Sequence, residues 1–130
     1  MFQKEVAERI IGFYGTKNYG RLSILANNRL DIFSKFNVSP NSFFPKPKVI
    51  STILFFKPKN KLQKKIKNLE NLEKVTKILF SNRRKMINKS LRKLFNSRKL
   101  EIIKDLNQFS RPEDLKPEKY YEITKLYEKS

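Results

Sequence analysis

Six basic side chains, Arg83, Arg84, Lys85, Lys89, Arg92 and Lys93, crowd one short stretch of a chain that has neither cysteine nor histidine. Guanidinium groups fork onto phosphate oxygens, and several such contacts make binding to a polyanion steeply salt-dependent. These six are therefore candidate phosphate contacts; for each of them the alternative is a solvated helix face. Without thiolate or imidazole, disulfides, zinc centres and His-based proton transfer are excluded, and no metal site is expected. Arg83 lies nearest the apolar stripe of its segment, and pairing with a carboxylate such as Glu113 is its structural alternative. A second candidate is the run Phe43-Phe44-Pro45-Lys46-Pro47, where a ring held beside prolines can stack on a planar ligand or cap a hydrophobic edge. The residues alone leave both open. Glu5, Glu8 and Arg9 suit a surface pair network better than an acid/base site.

The charge balance points the same way. Thirty basic residues against 12 acidic ones give a net charge of +18 and a pI near 10.2. Such a field draws polyanions from a distance, at a cost in self-repulsion. It is also local: between Lys57 and Lys104 only Glu70, Glu73 and Glu101 oppose the basic residues. Nucleic acid is the first partner to consider. The apolar runs, such as Val49 to Phe56, are too short to span a bilayer, and no signal peptide is visible. No membrane partner is expected, and the composition suits a soluble protein of a reducing compartment, the cytoplasm.

The elements that must position these residues can be read from periodicity. Leu72, Val75, Ile78, Leu79, Met86, Ile87, Leu91, Leu94 and Phe95 recur at three and four, giving an amphipathic helix, or two in tandem, from about 69 to 95. Ser81-Asn82 falls close to the stripe and marks a kink or break. Phe2 to Ile11 fits a short helix ended by Gly12, and a second opens at Tyr19-Gly20-Arg21 and runs to about Asn27. Arg29 to Phe36 reads as a strand of unclear register and Lys48 to Phe56 as another, with a proline-rich loop from Val38 to Pro47 between them. Arg98 to Leu106 reads as a helix, Arg111 to Leu115 as a turn, and Glu118 to about Tyr127 as a last helix burying Tyr120, Ile123 and Leu126. The fold class is α+β, divided as 1–58, a basic linker at 59–68, and an all-α unit at 69–130. Two strands make a marginal sheet, so the first third is expected to be the end of a larger α/β domain.

Five segments carry a resemblance. Phe2-Gln3-Lys4-Glu5-Val6-Ala7-Glu8-Arg9-Ile10, Tyr19-Gly20-Arg21-Leu22-Ser23, Phe43-Phe44-Pro45-Lys46-Pro47-Lys48-Val49 with Ser51, Phe80-Ser81-Asn82-Arg83-Arg84-Lys85 and Arg111-Pro112-Glu113-Asp114-Leu115 resemble, in order and spacing, the small-subunit ribosomal RNA adenine dimethyltransferases. Ile50 departs from the small acidic or amide residue usual there. The family's glycine-rich loop, its acidic residue for the cofactor ribose and its Asn-Leu-Pro-Tyr motif, which precede the match to Phe2–Ile10, have no counterpart.

The resemblance implies the C-terminal part of a Rossmann-like methyltransferase domain followed by a helical RNA-binding domain, with Phe43 as the ring that stacks on the substrate base. A flipped base stacked this way is worth about 1–3 kcal/mol. It implies S-adenosylmethionine as the family's cofactor, and small-subunit rRNA or a pre-ribosomal subunit as partner. The only glycines are Gly12, Gly15 and Gly20, and none follows a strand as a cofactor loop must. The expectation is a fragment that takes part in ribosome biogenesis, with no catalytic or cofactor-binding residues of its own and inactive alone; a variant of this reading has a separately encoded N-terminal half restore activity by complementation. The alternative is a free-standing basic RNA-binding or ribosome-associated module, and beyond that a helical protein whose charge only keeps it soluble.

Overall fold

Strand pairing in the computed structural model, which describes residues 1–59, 66–95, 103 and 106–129, sets the architecture of the first half. Strands β1 (Phe2–Gln3), β2 (Leu30–Val38) and β3 (Ser51–Pro58) form an antiparallel sheet in the order β1-β3-β2. Helices α1 (Lys4–Ile11) and α2 (Arg21–Arg29) stand between the first two strands. Helices α3 (Leu69–Leu79), α4 (Asn88–Leu94) and α5 (Pro117–Glu128) follow, with short 3-10 turns at Pro40–Ser42, Phe80–Asn82 and Pro112–Asp114. The fold is α+β, as expected.

Three local readings need correction. Phe2 and Gln3 are extended, paired with Thr52 and Ser51, because a neighbouring strand supplies ladder partners that helical periodicity does not register. The third strand starts at Ser51 and runs through Pro58, beyond the expected Phe56. Lys48 to Ile50 stay in the loop, where the Ile50 carbonyl accepts a bond from the Lys4 amide at 2.9 Å. Pro58 stands at the strand's last position, opposite Leu30, where a missing donor is tolerated. The loose alternation of β2 also has a physical cause: the register shifts between Ile32 and Ser34, so Phe33 is an extra, bulged residue. Phe33 and Phe36 then flank Phe55, with ring centroids 6.2 and 5.9 Å away, in a solvent-exposed aromatic cluster.

The long basic segment is two helices in tandem. The Ser81 hydroxyl turns back onto the Ile78 carbonyl at 2.6 Å, and the Ile87 amide donates to the Ser110 carbonyl at 2.9 Å; both bonds compete with helix propagation. Leu72, Val75, Leu79, Ile87 and Leu91 are buried, so the apolar stripe faces inward on both sides of the break, except that Met86, expected in it, is exposed in the turn between the helices. Tyr19 and Ile24 share this core, as do Tyr120 and Ile123 of α5. Phe80 stacks on Tyr120 with centroids 5.6 Å apart and meets Tyr19 edge-on at 6.3 Å. The first turn of α3 is capped twice. Asn68 Oδ1 accepts from the Glu70 amide at 3.0 Å. The Glu128 carboxylate, from the end of α5, takes bonds from the amides of Lys67 and Asn68 and from the Asn71 side chain. Most of the expected basic linker and of the expected helix from Arg98 to Leu106 lies outside the described residues, apart from buried Ile103 and part-buried Leu106.

Candidate RNA interface

Helix α4 presents the basic residues as one surface. Its apolar positions, Leu91 and the adjoining Ile87 and Phe95, are buried, which turns Lys89, Arg92 and Lys93 to solvent. Arg84 and Lys85, in the turn between α3 and α4, are exposed as well, as are Lys74 and Lys77 on α3. The side chains of Arg84, Lys85, Lys89, Arg92 and Lys93 make no hydrogen bond or ion pair among the described residues. An unpaired cation row of this kind meets a polyanion without first breaking internal contacts.

Arg83 is placed differently. Its Nη2 donates to the carbonyls of Thr16 and Lys17, each at 3.0 Å, and to Glu113 Oε2 at 3.3 Å. The guanidinium also lies 5.9 Å from the centroid of the Phe80 ring. It ties the loop after α1 to the Pro112–Asp114 turn, whose Glu113 carbonyl accepts the Gly15 amide at 2.6 Å. Of its two sequence readings, this arrangement serves the structural one. On α1, Arg9 pairs with Glu5 at 2.7 Å and Lys4 with Glu8 at 3.9 Å, the surface network expected of them.

The proline-rich loop is pinned at both ends. Ser39 caps the Pro40–Ser42 turn by accepting from the Asn41 amide at 3.2 Å, and the Phe43 amide donates to the Pro40 carbonyl at 3.3 Å. The Lys4–Ile50 bond closes the far end. Between them the Phe44–Pro45 peptide is cis. Phe43 is part-buried, whereas Phe44 is fully exposed at 102%. The sequence left open which ring of this run turns outward, and Lys46 and Lys48 beside Phe44 are exposed as well.

The buried polar groups are structural. Tyr19, Tyr120 and Tyr121 donate their hydroxyls to the carbonyls of Leu115, Pro112 and Ile24, respectively. Burial pushes all three phenols well above the usual tyrosine range, so they stay neutral and serve packing. The glycines are committed too. A Cβ on Gly12 would meet the Asn18 carbonyl oxygen at 2.4 Å, and Gly15 has φ +80°. Gly20 opens α2, its amide bonded to Ser23 Oγ at 3.2 Å. None follows a parallel strand, as the phosphate- and nucleoside-binding turns of Rossmann folds do. A cleft of about 460 Å³ between Gly12, Tyr14, Asn27, Asp31, Lys59 and Glu118 carries charges of both signs. Among the described residues no three acidic side chains gather as a metal site would need, and no helix is long and apolar enough to cross a membrane.

Comparison with known proteins identifies the lineage of this arrangement. The family model for ribosomal RNA adenine dimethylase matches residues 1–129, and the chain belongs to that family. It is 45% identical to the ribosomal RNA small subunit methyltransferase A of Pelagibacter ubique (strain HTCC1062), covering 98% of this chain and 49% of that protein. The corresponding protein of Buchnera aphidicola subsp. Acyrthosiphon pisum is 42% identical over 100% of this chain and 48% of its own length. The chain thus spans about half the length of the curated relatives it matches. Among solved structures, a dimethyladenosine transferase from Plasmodium falciparum superposes with a TM-score of 0.78 at 26% identity, over 94% of this chain and 53% of that one. The 23S rRNA methyltransferase ErmE shares the fold, with a TM-score of 0.64 at 22% identity over 97% of this chain and 52% of its own.

Proposed function

We propose that this chain corresponds to the substrate loop and C-terminal helical part of an S-adenosylmethionine-dependent rRNA (adenine) dimethyltransferase acting on small-subunit rRNA in the cytoplasm, during ribosome biogenesis. In this reading residues 1–58 end the catalytic domain and 69–130 form the RNA-binding unit. The chain grips RNA, while the methyl donor is held by the remaining part of a family polypeptide, supplied in the same or a separate chain. The observation that carries the reading is the pairing of a pinned Phe43 loop with an exposed, unpaired row of cations at Arg84, Lys85, Lys89, Arg92 and Lys93. Phe43 offers the π-face for a flipped adenine, the cations hold phosphates, and Arg83 keeps the segment that carries them in place. Two features support a share of the fold built by further polypeptide: β1 pairs on one side only among the described residues, and the Phe33, Phe36 and Phe55 face lies open.

Two measurements test it. Five phosphate contacts imply that affinity for small-subunit RNA falls about a hundredfold between about 50 and about 200 mM salt; absence of binding at low salt, or indifference to salt, overturns RNA binding. Calorimetric titration with S-adenosylmethionine should show no saturable micromolar binding to the chain alone, and such binding overturns the division of labour.

A further inference from the structure

We infer that Phe44 is a second stacking platform for RNA, taking an unpaired base next to the one held by Phe43, with Lys46 and Lys48 on the adjoining phosphates. The inference rests on the reading of this loop as the RNA-facing one. Phe43 and Phe44 are consecutive, yet the fold treats them oppositely. Phe43 is part-buried with its amide tied to Pro40, while Phe44 is exposed to the full extent of its ring.

Single exposed apolar side chains are ordinary on protein surfaces, and what sets Phe44 apart is its place next to Phe43 on a pinned loop that also carries two exposed lysines. Three exposed phenylalanines of the sheet, Phe33, Phe36 and Phe55, sit ring against ring. Phe44 has no ring contact among the described residues. The surrounding charge selects the kind of partner. Lys46 and Lys48 are exposed beyond it, and the sequence holds no acidic residue between Asp31 and Glu70. Aromatic rings interleaved with cations, free of carboxylates, suit a single strand of nucleic acid, whose bases stack while its phosphates pair. An apolar protein partner would gain nothing from the lysines. Pro45 and Pro47 fix φ on either side of Lys46, so the loop loses little freedom when a strand docks.

The test uses the 130-residue chain and a short single-stranded oligoribonucleotide carrying 2-aminopurine, whose fluorescence falls when it stacks. Phe44→Ala and Phe44→Leu should each bind on the order of tenfold more weakly and restore fluorescence, while Phe44→Tyr retains both affinity and quenching. Because the side chain touches nothing in the fold, all three variants should melt with the wild type. A Phe44→Leu chain that binds and quenches as the wild type does overturns the inference and leaves RNA binding by the cation row intact. Failure of the wild type itself to bind at low salt overturns both.

Discussion

Glu113 accepts the Arg83 guanidinium at 3.3 Å, while that same nitrogen holds the carbonyls of Thr16 and Lys17, so one side chain joins three segments distant in sequence. Next to it in the chain, Arg84 is free of such bonds among the described residues. The two arginines are adjacent, yet one is committed to the fold and the other faces solvent.

Substitution should separate them. Arg83→Ala leaves two backbone carbonyls and a part-buried carboxylate short of a donor, a loss of about 1–3 kcal/mol, and should lower the urea midpoint with little change in RNA affinity while the chain is folded. Arg84→Ala should leave the urea midpoint within about 0.5 kcal/mol and reduce the slope of log affinity against log salt by about one contact. Reversed outcomes would assign Arg83 to the RNA and Arg84 to the fold.

The glycines permit a second separation. Gly12→Ala forces a Cβ against the Asn18 carbonyl oxygen at 2.4 Å and Ser23 Oγ at 2.7 Å. Backbone must move, at a cost of about 1–3 kcal/mol. Gly15→Ala meets nothing within 4 Å but keeps φ at +80°, a strain of about 1–2 kcal/mol. Thermal unfolding of both variants should show losses from crowding at Gly12 and from conformation alone at Gly15. A Gly12→Ala chain as stable as the wild type would reopen a ligand-facing role for that turn.

Acid should act through Glu128. Burial alone would raise its carboxyl, but the Asn71 side chain and the amides of Lys67 and Asn68 hold it below its ordinary 4.5. A carboxyl depressed in the folded state contributes stability that is in place above its unfolded value and disappears as pH falls through the folded one. Wild type should therefore lose more stability than Glu128→Gln on going from about pH 6 to about pH 3, measured by urea unfolding at each pH. Parallel acid limbs for the two chains would show that the cap does not depend on charge.

How far the sequence revealed these features depended on whether their causes were local. The break at Ser81 was legible because a hydroxyl and an asparagine interrupt a strong three-four apolar spacing, and α5 was legible from Tyr120 and Ile123. The extended state of Phe2 and Gln3 was hidden, since it depends on Ser51 and Thr52 across the sheet. The bulge at Phe33 disguised the register of β2 by inserting one residue into a period of two. At the candidate site, the basic face was readable as composition on one side of a helix. The commitment of Arg83 was visible only as one of two options, because carbonyls at Thr16 and Lys17 cannot be inferred from the arginine's neighbours. Nor does a Phe-Phe pair state which ring turns outward; the bond from Phe43 to Pro40 accompanies that difference.

Alkali should act through the three buried tyrosines. Desolvation raises Tyr19, Tyr120 and Tyr121 above the ordinary 10.0, with Tyr121 adding to the shift of Tyr19 and Tyr19 to that of Tyr120. A phenol whose folded value exceeds its unfolded one contributes stability that is whole below the unfolded value and drains away as pH rises toward the folded value. The chain should thus weaken steadily above about pH 10, and the phenolate absorbance of these three should emerge with unfolding. Tyr120→Phe tests the origin of the effect. It removes a hydroxyl that donates to the Pro112 carbonyl, which costs about 1–2 kcal/mol at neutral pH, yet it also removes one group that must ionise, so its stability should fall less steeply in alkali than the wild type's. If the two curves run parallel above pH 10.0, Tyr120 ionises in the folded chain as readily as in the unfolded one, and its burial in the core is not what the packing around Phe80 implies.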